Sequence, residues 1–168
     1  MRGRTATAVV LTGLLLAVVW LLAGAARADT PAPAEVSAAR PESLVAVLEG
    51  AGFAARLGRT RRGDPLIHAT TPGALPFQIR FYGCRGGEAC VSVQLVALFA
   101  ARGVPLETLN RWNAAMRFGR VHATEGGQPV LSLDIGFAPA GLTAAQMSAQ
   151  LVLWERLMEG MLGLLAED

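Results

Sequence analysis

The segment that most limits what this chain can become is Phe77 to Leu98, FQIRFYGCRGGEACVSVQLVAL. Two apolar-alternating runs flank a glycine loop there, with the chain's only two cysteines at its mouth. Strand side chains alternate faces with period two, so a hairpin register can be tested by asking which residues share a face. Placing Cys84 opposite Cys90 sets Phe81 against Val93, Ile79 against Leu95 and Phe77 against Ala97, all apolar. The other face then carries Arg80 opposite Gln94 and Tyr82 opposite Ser92, with the cysteine pair on this wetter side. A slip of one residue would bring Arg80 and Gln94 into the core, so the register is well specified.

The loop Arg85-Gly86-Gly87-Glu88-Ala89 supplies glycines for positive backbone dihedrals. Directly opposed strand residues bring Cβ atoms within about 4.5–5.5 Å, close to what a disulfide needs. A Cys84–Cys90 bridge is therefore expected, and closing so short a ring contributes about 2–2.5 kcal/mol through lost chain entropy of the unfolded state. Two free thiols are the alternative. A metal site is a weaker reading still, since two cysteines without a nearby His or third Cys fill half a zinc shell. The pair also lacks Cys-x-x-Cys spacing.

An oxidising compartment fits the rest of the chain. Arg2 and Arg4 precede the apolar stretch Val9–Ala23, and Ala26-Arg27-Ala28 has small-x-small cleavage character. Residues 1–28 are read as a secretory signal peptide cut after Ala28, which places the mature protein in the periplasm or outside the cell. The membrane enters only if this leader stays uncut and tethers the domain. Removing Arg2, Arg4 and Arg27 from the 15 basic residues leaves 12 against 13 acidic ones, so the net charge of +2 does not survive. Nucleic-acid binding loses its electrostatic support.

Residues 29–40, DTPAPAEVSAAR, are rich in Pro and Ala and read as a flexible linker. A single domain is expected over 41–168. Pro41-Glu42-Ser43 opens a short helix that Gly50 and Gly52 end. Strands are expected over 53–58, 66–70, the cysteine hairpin, 120–124 and 129–137. A helix over 105–118 carries Leu109 and Trp112 on its apolar face. Thr143 and Gln146 form a capping box before the last helix. Its apolar row runs Met147, Leu151, Trp154, Met158, Met161, Leu165. One face covers the sheet, and the excess of apolar residues suggests either a second contact, with this row the candidate surface for a partner subunit or peptide, or deeper burial inside the domain. The layout is α+β: an antiparallel sheet of five to six strands with three helices packed on it.

No catalytic constellation emerges, and no cofactor motif. His68 and His122, the only histidines, sit in separate expected strands without converging partners. Ser92, Ser132 and Ser148 lack a nucleophile-elbow context. Asp134 alternates with Ser132 and Gly136, which suits solvation or pairing with an arginine. Arg56, Arg59, Arg61 and Arg62 cluster at one turn, which reads first as a solvated turn, with attraction of an anionic ligand or an acidic protein segment as the alternative. Trp112 is expected to anchor its helix, with Asn110 and Asn113 turned to loops.

The order and spacing of Gly63-Asp64-Pro65, Phe81-Tyr82-Gly83-Cys84, Cys90, Gln94, Asn110-x-Trp112-Asn113, Arg117-Phe118-Gly119-Arg120 and Asp134 resemble the YbjN domain family of bacteria. The resemblance implies a fold similar to type III secretion chaperones, often dimeric, which binds protein segments and has no agreed catalytic site. The leader and the cysteine pair set this chain apart from cytoplasmic members, so cytoplasmic effectors are not its expected partners. The expectation is an exported, non-enzymatic binding or regulatory domain that recognises a protein or peptide as a homodimer. A small thiol-redox or other enzyme built on Cys84 and Cys90 is the alternative from another class; a membrane-tethered domain is the third.

Overall fold

The computed structural model describes residues 35–137 and 140–167; the expected leader and residues 29–34 of the expected linker lie outside the described residues. Six strands pair into one antiparallel sheet: β1 (Ala54–Arg59), β2 (Pro65–Thr70), β3 (Pro76–Tyr82), β4 (Ser92–Leu98), β5 (Arg120–Ala123) and β6 (Pro129–Gly136). Their spatial order is β1-β2-β3-β4-β6-β5. Three helices complete the described part: α1 (Pro41–Gly50), α2 (Leu106–Ala115) and α3 (Ala144–Glu167). The fold is the expected α+β class.

Local chemistry sets the element ends. Proline stands in the first turn of α1, where its missing N–H is no loss. The α3 capping box forms as expected: Gln146 N–H donates to Thr143 Oγ1 (3.1 Å) and Thr143 N–H to Gln146 Oε1 (2.8 Å). The hairpin register also matches, with Phe81 on Val93, Ile79 on Leu95, Arg80 on Gln94 and Tyr82 on Ser92.

The three described helices cover one face of the sheet. Ile67, Phe77, Ile79, Val93, Leu95, Leu131 and Leu133 point into a single core with residues of all three helices. Trp154 is fully buried at its centre, 5.6 Å from the Phe77 ring, and Phe77 in turn meets Phe53 edge-on at 6.0 Å.

Two expectations need correction. Residues 35–40 are not a flexible linker: Val36 and Ala38 are completely buried. Val36 exchanges backbone hydrogen bonds of 2.7 and 2.9 Å with Leu142. The Ser43 hydroxyl accepts from Ser37 N–H and donates to Arg40 C=O, closing a clasp over the start of α1. Low apolar content hid this, because two small side chains suffice when the backbone itself pairs.

The second concerns the cysteines. The disulfide forms, but Cys90 lies in the core, 4% exposed, while Val91 is 57% exposed. The alternation reverses at the loop because Gly83 (φ 66°) and Ala89 (φ 47°) take left-handed backbone conformations. A Cβ on Gly83 would stand 2.5 Å from Val91 Cγ2, so this crossing needs glycine.

Candidate functional site

Among the described residues, the second face of the sheet has no helix on it. Register places its side chains in rows: Arg56, His68, Gln78, Val96, Ser132 and Arg120 cross all six strands in one line. The next line is Leu66, Arg80, Gln94 and Asp134. Val96 and Ser132 are buried on this face, whereas Arg56, His68, Arg80, Asp134 and Arg120 are exposed.

Polar groups here are organised. Tyr82 O–H donates to Gln94 Oε1 (3.3 Å), Gln94 Nε2 donates to Asp134 Oδ1 (2.9 Å), and Arg120 Nη2 donates to Asp134 Oδ2. The chain of contacts links β3, β4, β6 and β5. Its ion pair is solvent-exposed, so it contributes little stability and chiefly neutralises Asp134. Among the described residues, Arg56 and Arg80 on this face have no carboxylate partner.

Two hollows flank Arg80. One, of about 560 Å³, lies over β1–β4 with Val96 as floor and Arg56, His68 and Leu98 around it. The other, of about 400 Å³, lies at the β1–β2 turn and is lined by Arg61, Arg62, Asp64 and Tyr82. The arginines of that turn therefore join the open face as one basic surface. Arg59 is the exception. It turns away to bond Gly63 C=O (2.7 Å) and Gly87 C=O (3.3 Å), tying the disulfide loop to the turn.

The other sequence candidates fall elsewhere. His68 and His122 share the open face but stand on β2 and β5, with three strands between them. Asp134 pairs with arginine, as its alternation suggested. Met147, Leu151, Trp154, Met158 and Met161 are buried against the sheet in the monomer, and Leu165 is partly buried beside them. This row is not a free surface. The helix is over-apolar because one side also meets α1 and Trp112 of α2 packs over Gly160, so a partner on α3 would meet Val152 and Leu162 instead.

Trp112 anchors α2 as expected and is buried. Asn113 does something the sequence reading missed: it bonds a strand, not a loop. Its Nδ2 donates to Val121 C=O (2.9 Å) and its Oδ1 accepts from Val121 N–H (2.9 Å), occupying the outer edge of β5. The Tyr82–Gln94–Asp134–Arg120 line was missed too. Period-two alternation puts each residue on the wet face, but only the insertion of β6 beside β4 brings Asp134 to Gln94 and joins the two hairpins into one line.

Among the described residues, no group of three or more His, Cys, Asp or Glu could hold a metal ion, and no helix is long and apolar enough to cross a membrane. Residues 40–165 match the family model of YbjN, described as "Putative bacterial sensory transduction regulator". The chain belongs to the YbjN family. No curated protein and no solved structure matches it. Membership points to a regulatory or binding role and not to a known enzyme class.

The residues that carried the resemblance divide by what they touch in this YbjN domain. Gly63 (φ 89°) closes the β1–β2 turn. Trp112, Asn113 and Gly119 seat α2 and β5 against α3; a Cβ on Gly119 would lie 2.9 Å from Leu157 Cδ1. Tyr82, Gln94, Arg120 and Asp134 form the hydrogen-bonded line on the open face.

Proposed function

We propose that this YbjN domain is a non-enzymatic regulatory module that works outside the cytoplasm by binding an acidic protein segment on its open sheet face. One observation carries the reading: among the described residues a whole face of the six-stranded sheet is free of helices and presents Arg56, Arg80, Arg61 and Arg62 against one turn carboxylate, Asp64, while its one strand carboxylate, Asp134, is already neutralised by Arg120. Such a basic concave surface steers and selects acidic partners. The Cys84–Cys90 bridge supports an oxidising compartment. Because Cys90 is buried, the same bridge fits a structural staple better than an exchanging thiol pair.

Site-directed photo-crosslinking tests the reading. A benzophenone side chain at Gln78 or Gln94 should capture a partner in the producing cell, and the same probe at Val152 on α3 should not. Arg80→Glu should reduce capture about tenfold or more, since a like charge replaces an attractive one at the centre of the face. Equal capture from Val152, or capture unchanged by Arg80→Glu, would refute it.

A further inference from the structure

The two edges of the sheet are treated differently. At β5 the outward N–H and C=O of Val121 are both taken by the Asn113 side chain, and the strand is only 4 residues long. At the opposite edge β1 has 6 residues, and among the described residues no hydrogen bond beyond its ladder with β2 engages its backbone. An edge strand with unpaired peptide groups is a template for another strand.

The outward groups can be identified. Thr60 N–H donates to Asp64 C=O across the turn. Alternate residues of an antiparallel strand turn their peptide groups to the same side. Gly58, Arg56 and Ala54 therefore bond β2, and Ala55, Leu57 and Arg59 direct their N–H and C=O outward.

We infer that β1 accepts an extended segment of the partner as a seventh strand, and that this segment alternates acidic with small apolar residues. The inference rests on the open face being the receptor for an acidic segment, and it adds how that segment is held. Residues of the added strand on the open side meet Arg56 and the turn arginines, which suits carboxylates. Those on the helical side face a groove of about 370 Å³ between the clasp and the disulfide loop, where Ala38, Pro41, Leu57 and Cys90 suit small apolar groups and the exposed Glu42, Arg59 and Glu88 share the lining. Main-chain bonds supply affinity and alternate side chains supply specificity in strand addition. A second copy is the poorer occupant, because two arginine-bearing edges would face each other.

The test uses an N-acetylated, C-amidated peptide of alternating valine and glutamate, matched to β1 in length, with a valine–lysine peptide as control. Amide hydrogen exchange is followed by NMR on the domain. The glutamate peptide should slow exchange at Ala55, Leu57 and Arg59 roughly tenfold or more, and the lysine peptide should not. Ala55→Pro removes one outward N–H without touching the β2 ladder, so it should melt like the parent while binding the peptide about tenfold more weakly.

Protection and resonance shifts confined to Arg80, Gln94 and Tyr82, with the β1 amides unprotected, would overturn strand addition and leave the open-face reading standing. No binding at millimolar peptide would overturn both. Outward amides already protected in the free protein, and released on dilution, would show a second copy on the edge and overturn the inference. The exchange measurement needs only the parent protein, so it decides the matter even if Ala55→Pro fails to fold.

Discussion

Trp154 shows how one side chain can be read correctly in pattern and still mislead about role. Its helical spacing marks it apolar, and the structure buries it completely against Phe77. Its indole N–H has no acceptor among the described residues. Truncating such a residue leaves a large cavity, so Trp154→Ala should lose about 3–5 kcal/mol, a large part of a small domain's stability. Trp154→Phe removes the unpaired N–H along with part of the ring, and the two effects oppose each other. Urea unfolding should therefore rank parent and Trp154→Phe close together with Trp154→Ala far below; equal losses for both variants would contradict this packing. A count of apolar residues could not have assigned Trp154 to the core in place of a partner face, because that depends on what lies beside α3. The cysteine pair failed for a related reason. Its parity was legible, but Ala89 at φ 47° breaks the alternation, and only glycine announces such a conformation in sequence.

At the scale of elements, the strands and helices were legible because their periods differ and Gly, Pro and the Thr143–Gln146 box punctuate them. Within the cysteine hairpin even the register could be read, since Ile79 and Phe81 each had one apolar partner. The neighbour of β4 could not. A chain that goes out to β5 and returns as β6 between β5 and β4 leaves no local signal, and the central Gln94–Asp134 link of the Tyr82–Gln94–Asp134–Arg120 line depends on that return. Edge protection by Asn113 was equally hidden, since an asparagine late in a helix usually faces water. Asn113→Ala should leave the Val121 N–H and C=O unpaired and lower stability by about 1–2 kcal/mol. It should also promote concentration-dependent association, because β5 then presents an open edge. Urea unfolding and light scattering on the same samples check both parts; a variant equal to the parent in both would mean that Asn113 does not guard the edge.

For the molecule as a whole, the sheet's covered face is assembled from parts that differ in how far the family pattern reaches. The match to YbjN begins at residue 40, yet Val36 and Ala38 are as deeply buried as any core residue. The clasp they form lies against Leu142 just before α3 and against Ser37 and Ser43 at the start of α1. It therefore joins the two helices that cover β1 and the core around Trp154. A domain beginning at Pro41 would lose the Val36 side chain, worth about 1.5–3 kcal/mol of burial, together with its two backbone bonds to Leu142. Some relaxation of the exposed site offsets this, so a chain starting at Pro41 should be less stable than one starting at Asp29 by about 2–3 kcal/mol. Substituting Val36→Asp in the longer chain should destabilise to a similar degree, because it places an unpaired carboxylate where no water reaches. Urea midpoints for the three proteins provide the check, and the clasp would be dispensable if the Pro41 chain unfolded within a few tenths of a kcal/mol of the longer one. The groove beside β1 gives the same experiment a functional side. Ala38 and Pro41 form one wall of that groove, so losing the clasp should weaken the valine–glutamate peptide even at temperatures where the shortened domain remains folded.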